Sequence, residues 1–199
     1  NDKYKLLNVS PGPTQIPNKV LNIIKKDIFS DYNYGVTPFE ISHRSPEFNN
    51  ILENTNNKLR EFMKIPEEFE ILWTQGGGHG QFSSIPLNMN YSSNTKGNYF
   101  VTGTWSSRAY NEATKFTNTY NSMEKKYEDS LPLKYNNIPD NIEINDDDSY
   151  LYLCSNETVN GTEFRDDGIS YPSRKELKDT KLIVDMSSDF GMKSINWNN

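Results

Sequence analysis

The sequence predicts an α/β fold, a mostly parallel sheet flanked by helices. Three observations carry this. Short apolar runs alternate with segments of helical spacing: "FEILWTQ" then "GQFSSIPLNM", "NYFVTG" then "TWSSRAYNEATKF". "YLYLCS" and "KLIVDMSS" are continuous apolar runs, as strands covered on both faces require. Gly76, Gly77, Gly78 and Gly80 crowd one strand-to-helix junction, which implies a tight turn or a ligand close to the main chain.

Taken in order, "LLNVSPGPTQIP" reads as turns ending an extended arm over residues 1–16. Pro17 precedes "NKVLNIIKKDI", where Val20, Ile23, Ile24 and Ile28 recur at helical spacing. "SDYNYGVTPFEISHRSPEF" is loop-like. Ser45 and Pro46 supply an N-cap and first turn for a helix through "NNILENTNNKLREFMKI". It sets Phe48, Ile51, Leu52, Leu59, Phe62 and Met63 on or near one face. "FEILWTQ" is the first predicted strand and "GQFSSIPLNM" the helix after it. "NYFVTG" is a second strand, "TWSSRAYNEATKF" its helix, and "TNTYNSM" a weaker strand. Residues 128–149, rich in Asn, Asp and Pro, read as a long loop. "YLYLCS" and "KLIVDMSS" complete the sheet, so residues 17–199 form one large domain.

Composition narrows the function. Aromatic residues at 13% argue against disorder. A net charge of -6 and a pI near 5.0 give no electrostatic footprint for nucleic acid. An anionic ligand must therefore be held by a local site. One cysteine, Cys154, and two histidines, His43 and His79, exclude a disulfide framework and a Cys/His zinc site. No apolar run is long enough to span a membrane, and the chain reads as cytoplasmic.

In a parallel sheet, ligands sit beyond the carboxyl ends of the strands. There "QGGGHGQ" offers free helix-start N–H groups to an anion. It is not a nucleotide loop: no Lys-Ser/Thr follows, and Gln81 occupies the last position of the G-x-G-x-x-G spacing. A tight turn alone also accounts for it. Asp185 ends "KLIVD" at the same edge, as a turn residue or a functional carboxylate. Trp105 follows "NYFVTG", as core or ligand platform. "CSNETVNGTEF" adds Asn156, Glu157 and Thr158. Together they suit a flat, phosphorylated heteroaromatic ligand such as pyridoxal 5'-phosphate.

The segments "SPGPTQIP", "EISHRSPEF", "QGGGHGQFSSIPLN", "TGTWSSRAYNEA", "SNETVNGTEF" and "VDMSSDF" resemble, in order and nearly end to end, the phosphoserine aminotransferases. These are class V, fold-type I pyridoxal phosphate enzymes. The resemblance implies that Gly78 and His79 bind the cofactor phosphate through backbone N–H groups. Some relatives carry Arg at the position of His79. Trp105 would stack on the pyridine ring, Thr158 would hydrogen-bond its hydroxyl, and Asp185 would pair with the ring nitrogen. Arg44 would fork onto a substrate carboxylate, and His43 would assist at the substrate phosphate across a homodimer interface. The implied substrates are phosphoserine, glutamate, 2-oxoglutarate and 3-phosphohydroxypyruvate.

In this family the Schiff-base lysine lies roughly ten residues beyond Asn199. Lys193 sits too close to Asp185 and lacks its context. The resemblance thus implies a large domain incomplete at the C-terminus, lacking the small domain and inactive alone. Two other readings are a non-catalytic fragment binding pyridoxal phosphate or another anion weakly, and another class V enzyme such as an alanine–glyoxylate aminotransferase. "SHR" and "GGGxGQF" argue against the last. Asp146, Asp147 and Asp148 read as a solvated loop rather than a metal site, and Cys154 as a small core residue.

Overall fold

Pro17 stands immediately before α1, Asn18–Ile28. This computed structural model describes residues 7–10, 12–29, 35–89, 94–123, 138, 142–164 and 171–197. Two units divide the chain, Asn1–Ile71 and Leu72–Asn199.

In the first unit, α1 carries Lys25 and Lys26 in its last turn, where positive charge complements the helix dipole. Helix α2, Pro46–Met63, starts as its sequence requires: Ser45 Oγ accepts the Phe48 N–H at 3.2 Å. It stops at Lys64, whose left-handed backbone (φ 52) turns its N–H onto the Arg60 carbonyl. The Arg60 guanidinium donates to the carbonyls of Pro66 and Phe69 at 2.8 and 2.5 Å, tying the following turn to the helix end. Met63 is buried whereas Phe62 is 70% exposed, because neighbours on a helix point about 100° apart.

The second unit contains the sheet. Its strands are β1 (Lys96–Phe100), β2 (Thr119–Asn121), β3 (Asp148–Cys154) and β6 (Lys181–Asp185), ordered β2-β1-β3-β6 with every pairing parallel. Helix α3 (Gly77–Met89) precedes β1, and α4 (Thr104–Ala113) connects β1 to β2. A hairpin of β4 (Asn156–Glu157) and β5 (Thr162–Glu163) follows β3, and α5 (Arg174–Leu177) precedes β6.

Side chains alternate across each strand, so the sheet builds two cores. Tyr99, Val101, Tyr150 and Tyr152 pack with Phe82 of α3 and Ala109 and Ala113 of α4 on one face. Phe100, Leu151 and Leu153 pack with Met123, Ile138, Phe164 and Leu177 on the other. Every residue of β3 is buried, as its continuous apolar run foretold for 150–154; Asp148 and Ser149, expected in the loop, extend the strand.

Three expectations need correction. "FEILWTQ" forms no strand: residues 70–74 have no strand conformation, and Leu72 is 79% exposed. A strand exists through its ladder, and among the described residues none lies beside this segment. The Asp triplet is not wholly a solvated loop. Asp146 and Asp147 pair with Lys178 and Lys96 at 2.5 and 2.6 Å, but Asp148 is buried at the start of β3. Its Oδ2 accepts from Asn98 Nδ2, Tyr120 Oη and the Asn145 N–H at 2.8–2.9 Å. Third, the α3 helix begins inside the glycine run rather than after it. Most of the loop expected over 128–149 lies outside the described residues.

Candidate active site

Parallel pairing brings the carboxyl ends of β1, β3 and β6 to one edge; Cys154 stands opposite Asp185 and Phe100 opposite Leu153. Of the expected groups of the second unit, Trp105, Thr158 and Asp185 follow or form these ends, whereas Gly78 and His79 stand at the start of α3.

The glycine run makes the first turn of α3. Gly76 and Gly77 have φ 105 and 55, a region other residues enter only under strain. A Cβ on Gly76 would also stand 3.2 Å from the Gly80 Cα. Gln81 anchors the entry, its Nε2 donating to Thr74 Oγ1 at 3.0 Å and to the Gln75 carbonyl at 3.1 Å. The N–H groups of Gly77, Gly78 and His79 begin the helix. No side chain among the described residues accepts from them, so they present partial positive charge outward.

Asp185 ends β6. Its Oδ1 accepts from the Ser187 N–H at 3.0 Å and Ser187 Oγ at 2.7 Å, and its Oδ2 from Tyr152 Oη at 3.0 Å. Burial, with the Asp185 charge beside it, pushes the Tyr152 phenol far above its usual range, so it stays a donor. Asp185, Ser187 and Tyr152 line a cleft of about 360 Å³ together with Gly77, Gly78 and Phe82 of α3. That volume suits a small cofactor. One wall offers an open helix N-terminus and another a carboxylate, complementary to a ligand with an anionic end and a protonated ring nitrogen.

Trp105 and Thr158 are joined to each other: the indole Nε1–H donates to Thr158 Oγ1 at 2.9 Å. Arg108 lies over the indole, 4.8 Å from its centroid. Neither Trp105 nor Thr158 is among the residues lining the cleft, nor is His79. The His79 ring leans on Phe82 at 5.6 Å, which leaves its backbone N–H as the group at the helix start. His43 and Arg44 belong to the first unit, both exposed on the turn before α2.

Three features were missed from sequence. Glu157, read only as a polar group, is completely buried and caps α4. Tyr152 reaches Asp185 through a strand register that no local pattern gives. Ser187 could have been found, since Asp followed two residues later by Ser is a local side-chain turn. Lys193 is held by an ion pair with Glu163 and donates to the Phe164 carbonyl at 2.8 Å, a structural role away from the cleft lining. Cys154 is buried, and burial pushes its thiol up, as an inert core residue requires. Among the described residues, no cluster of three His, Cys, Asp or Glu could hold a metal, and no helix is long and apolar enough to cross a membrane.

Comparison with known proteins gives the family. Residues 6–199 match the family model for class-V aminotransferases. A probable phosphoserine aminotransferase of Caenorhabditis elegans is 40% identical over 186 residues, 92% of this chain and 47% of that protein. A chloroplastic phosphoserine aminotransferase of Arabidopsis thaliana is 36% identical, over 97% of this chain and 44% of its own length. The pyridoxal-phosphate-bound phosphoserine aminotransferase of Trichomonas vaginalis superposes with a TM-score of 0.79 at 28% identity, covering 97% of this chain and 51% of that one. The chain spans about half the length of the relatives it matches.

Proposed function

The chain belongs to the class-V aminotransferase family, and from that premise we propose that its protein is a pyridoxal-phosphate-dependent phosphoserine aminotransferase. It would move an amino group between phosphoserine or 3-phosphohydroxypyruvate and glutamate or 2-oxoglutarate. The observation that carries this is the cleft in which Asp185 and the open start of α3 line one space. Relatives bearing that name match over nearly the whole chain.

The residues present fit the cofactor. The N–H groups of Gly78 and His79 would hold its phosphate, since a helix start binds anions without a dedicated charge. When bound, pyridoxal phosphate supplies an electron sink for the charge left as the substrate's α proton departs. Asp185 would hold a proton on the ring nitrogen, and Tyr152 and Ser187 keep its two oxygens in place for that task. Trp105 would cover a ring face, while Thr158 Oγ1 accepts from the indole and keeps its own proton for a ring oxygen. Arg44 would receive the substrate carboxylate and His43 would assist at its phosphate. The same reading makes the protein a cytoplasmic homodimer, with residues 1–16 as an arm and 17–199 within its cofactor-binding large domain.

The test is Asp185→Asn in the full-length protein. An amide cannot hold the pyridinium proton, so kcat should fall by more than about tenfold, which is about 1.4 kcal/mol of barrier. A smaller fall at unchanged melting temperature would remove Asp185 from this role.

A further inference from the structure

The α4 N-terminus is organised by a residue 52 positions away. Glu157 is 0% exposed, and its carboxylate accepts the Trp105 N–H at 2.7 Å, the Ser106 N–H at 2.8 Å and the Ser106 hydroxyl at 2.5 Å. Asn160 Oδ1 takes the Thr104 N–H at 2.7 Å. Ser106 Oγ in turn accepts from the N–H groups of Thr102 and Gly103. Each first-turn donor thus has an acceptor, and the carboxylate's charge faces the positive end of a helix dipole. The fit leaves no slack: a Cβ on Gly103 would come within 2.6 Å of Glu157 Cδ and 2.7 Å of Asn160 Oδ1. The next residue after Glu157 is Thr158, which takes the Trp105 indole N–H. One short segment therefore grips Trp105 by both its backbone and its ring.

We propose that Glu157 is a positioning residue, whose buried cap on α4 holds the Trp105 indole and the Thr158 hydroxyl as one preformed platform for a planar heteroaromatic ligand. This rests on the functional reading above. Replacing the carboxylate by an amide keeps the shape but turns an NH2 toward backbone donors. One of the two N–H groups then loses its acceptor, and α4 can shift relative to Thr158.

The test uses Glu157→Gln in the full-length protein, first without cofactor. The indole N–H resonance, assigned by its loss in Trp105→Phe, should exchange with solvent at least about tenfold faster than in the unsubstituted protein, as a broken hydrogen bond permits. Added pyridoxal phosphate should then bind about tenfold more weakly. A lower melting temperature with unchanged indole exchange and cofactor affinity would make Glu157 a mere structural cap and overturn the proposal. Should Glu157→Gln fail to fold, Thr158→Val must show the faster indole exchange, and unchanged exchange there would overturn it equally. The exchange is read in the absence of cofactor. Failure to bind pyridoxal phosphate at all would therefore count against the function and not against the platform.

Discussion

Asp185 and its partners show how a polar group is made safe at the end of a buried strand. Three donors converge on its two oxygens, and the most deeply placed is the Tyr152 hydroxyl. The apolar core beneath it is unusual in using tyrosines: Tyr99 Oη meets Tyr150 Oη at 3.1 Å, and Tyr99 packs on Tyr152 with centroids 5.0 Å apart. Burial holds the Tyr99 and Tyr152 phenols well above their usual range. The unfolded chain releases such protons near pH 10, so above that the native state binds more protons than the unfolded one. Their contribution is complete below about pH 10 and is lost as pH rises further. The melting temperature should therefore fall above about pH 10, and less steeply in a Tyr99→Phe/Tyr152→Phe variant. Identical slopes would show that these phenols do not govern alkaline unfolding. Asp185 was visible in the sequence because it ends an apolar run. Its Tyr152 partner was not, because a hydroxyl two residues before a strand end acquires meaning only from the pairing of β3 with β6.

Among the elements, those with their own start signals were the legible ones. Pro17 begins α1, and Ser45 with Pro46 begins α2. Ser45→Ala should cost about 1 kcal/mol, read from the denaturation midpoint of the full-length protein, and Ser45→Asp should restore most of it. No change in the alanine variant would mean that the Phe48 N–H finds water at no cost. Other signals were present but unread: Ser173 and Glu176 form a reciprocal capping box that starts α5. "FEILWTQ" failed for a different reason. Its composition favours a strand, yet strand formation depends on a neighbour, and none of the described residues provides one. The α3 start differs again. The glycines were expected to form a turn before the helix, whereas Gly77, Gly78 and Gly80 are its first residues, so the open N–H groups belong to the helix itself.

At the scale of the whole molecule, the alternation of apolar runs and helical spacing was enough to give a parallel sheet with helices, because each run must be buried on both faces. The β2-β1-β3-β6 order was not readable, since it depends on where each connection crosses. The same topology explains how the cofactor-binding candidates of the second unit came to be predicted from points far apart in the chain. Trp105, Thr158 and Asp185 each follow or end a strand, and parallel pairing gathers the ends of β1, β3 and β6 at one edge, whereas the run before Gly78 forms no strand. It did not place them all on the cleft: Gly78 and Asp185 line it, while Trp105 and Thr158 form their own hydrogen-bonded pair. The most direct test of the account is amino-group transfer by the full-length protein with pyridoxal phosphate, comparing phosphoserine and 2-oxoglutarate with alanine and glyoxylate. The account predicts glutamate and 3-phosphohydroxypyruvate from the first pair, at a kcat/KM at least about a hundredfold above the second, the discrimination that one well-placed charged contact provides. Turnover of alanine and glyoxylate without turnover of phosphoserine would contradict it.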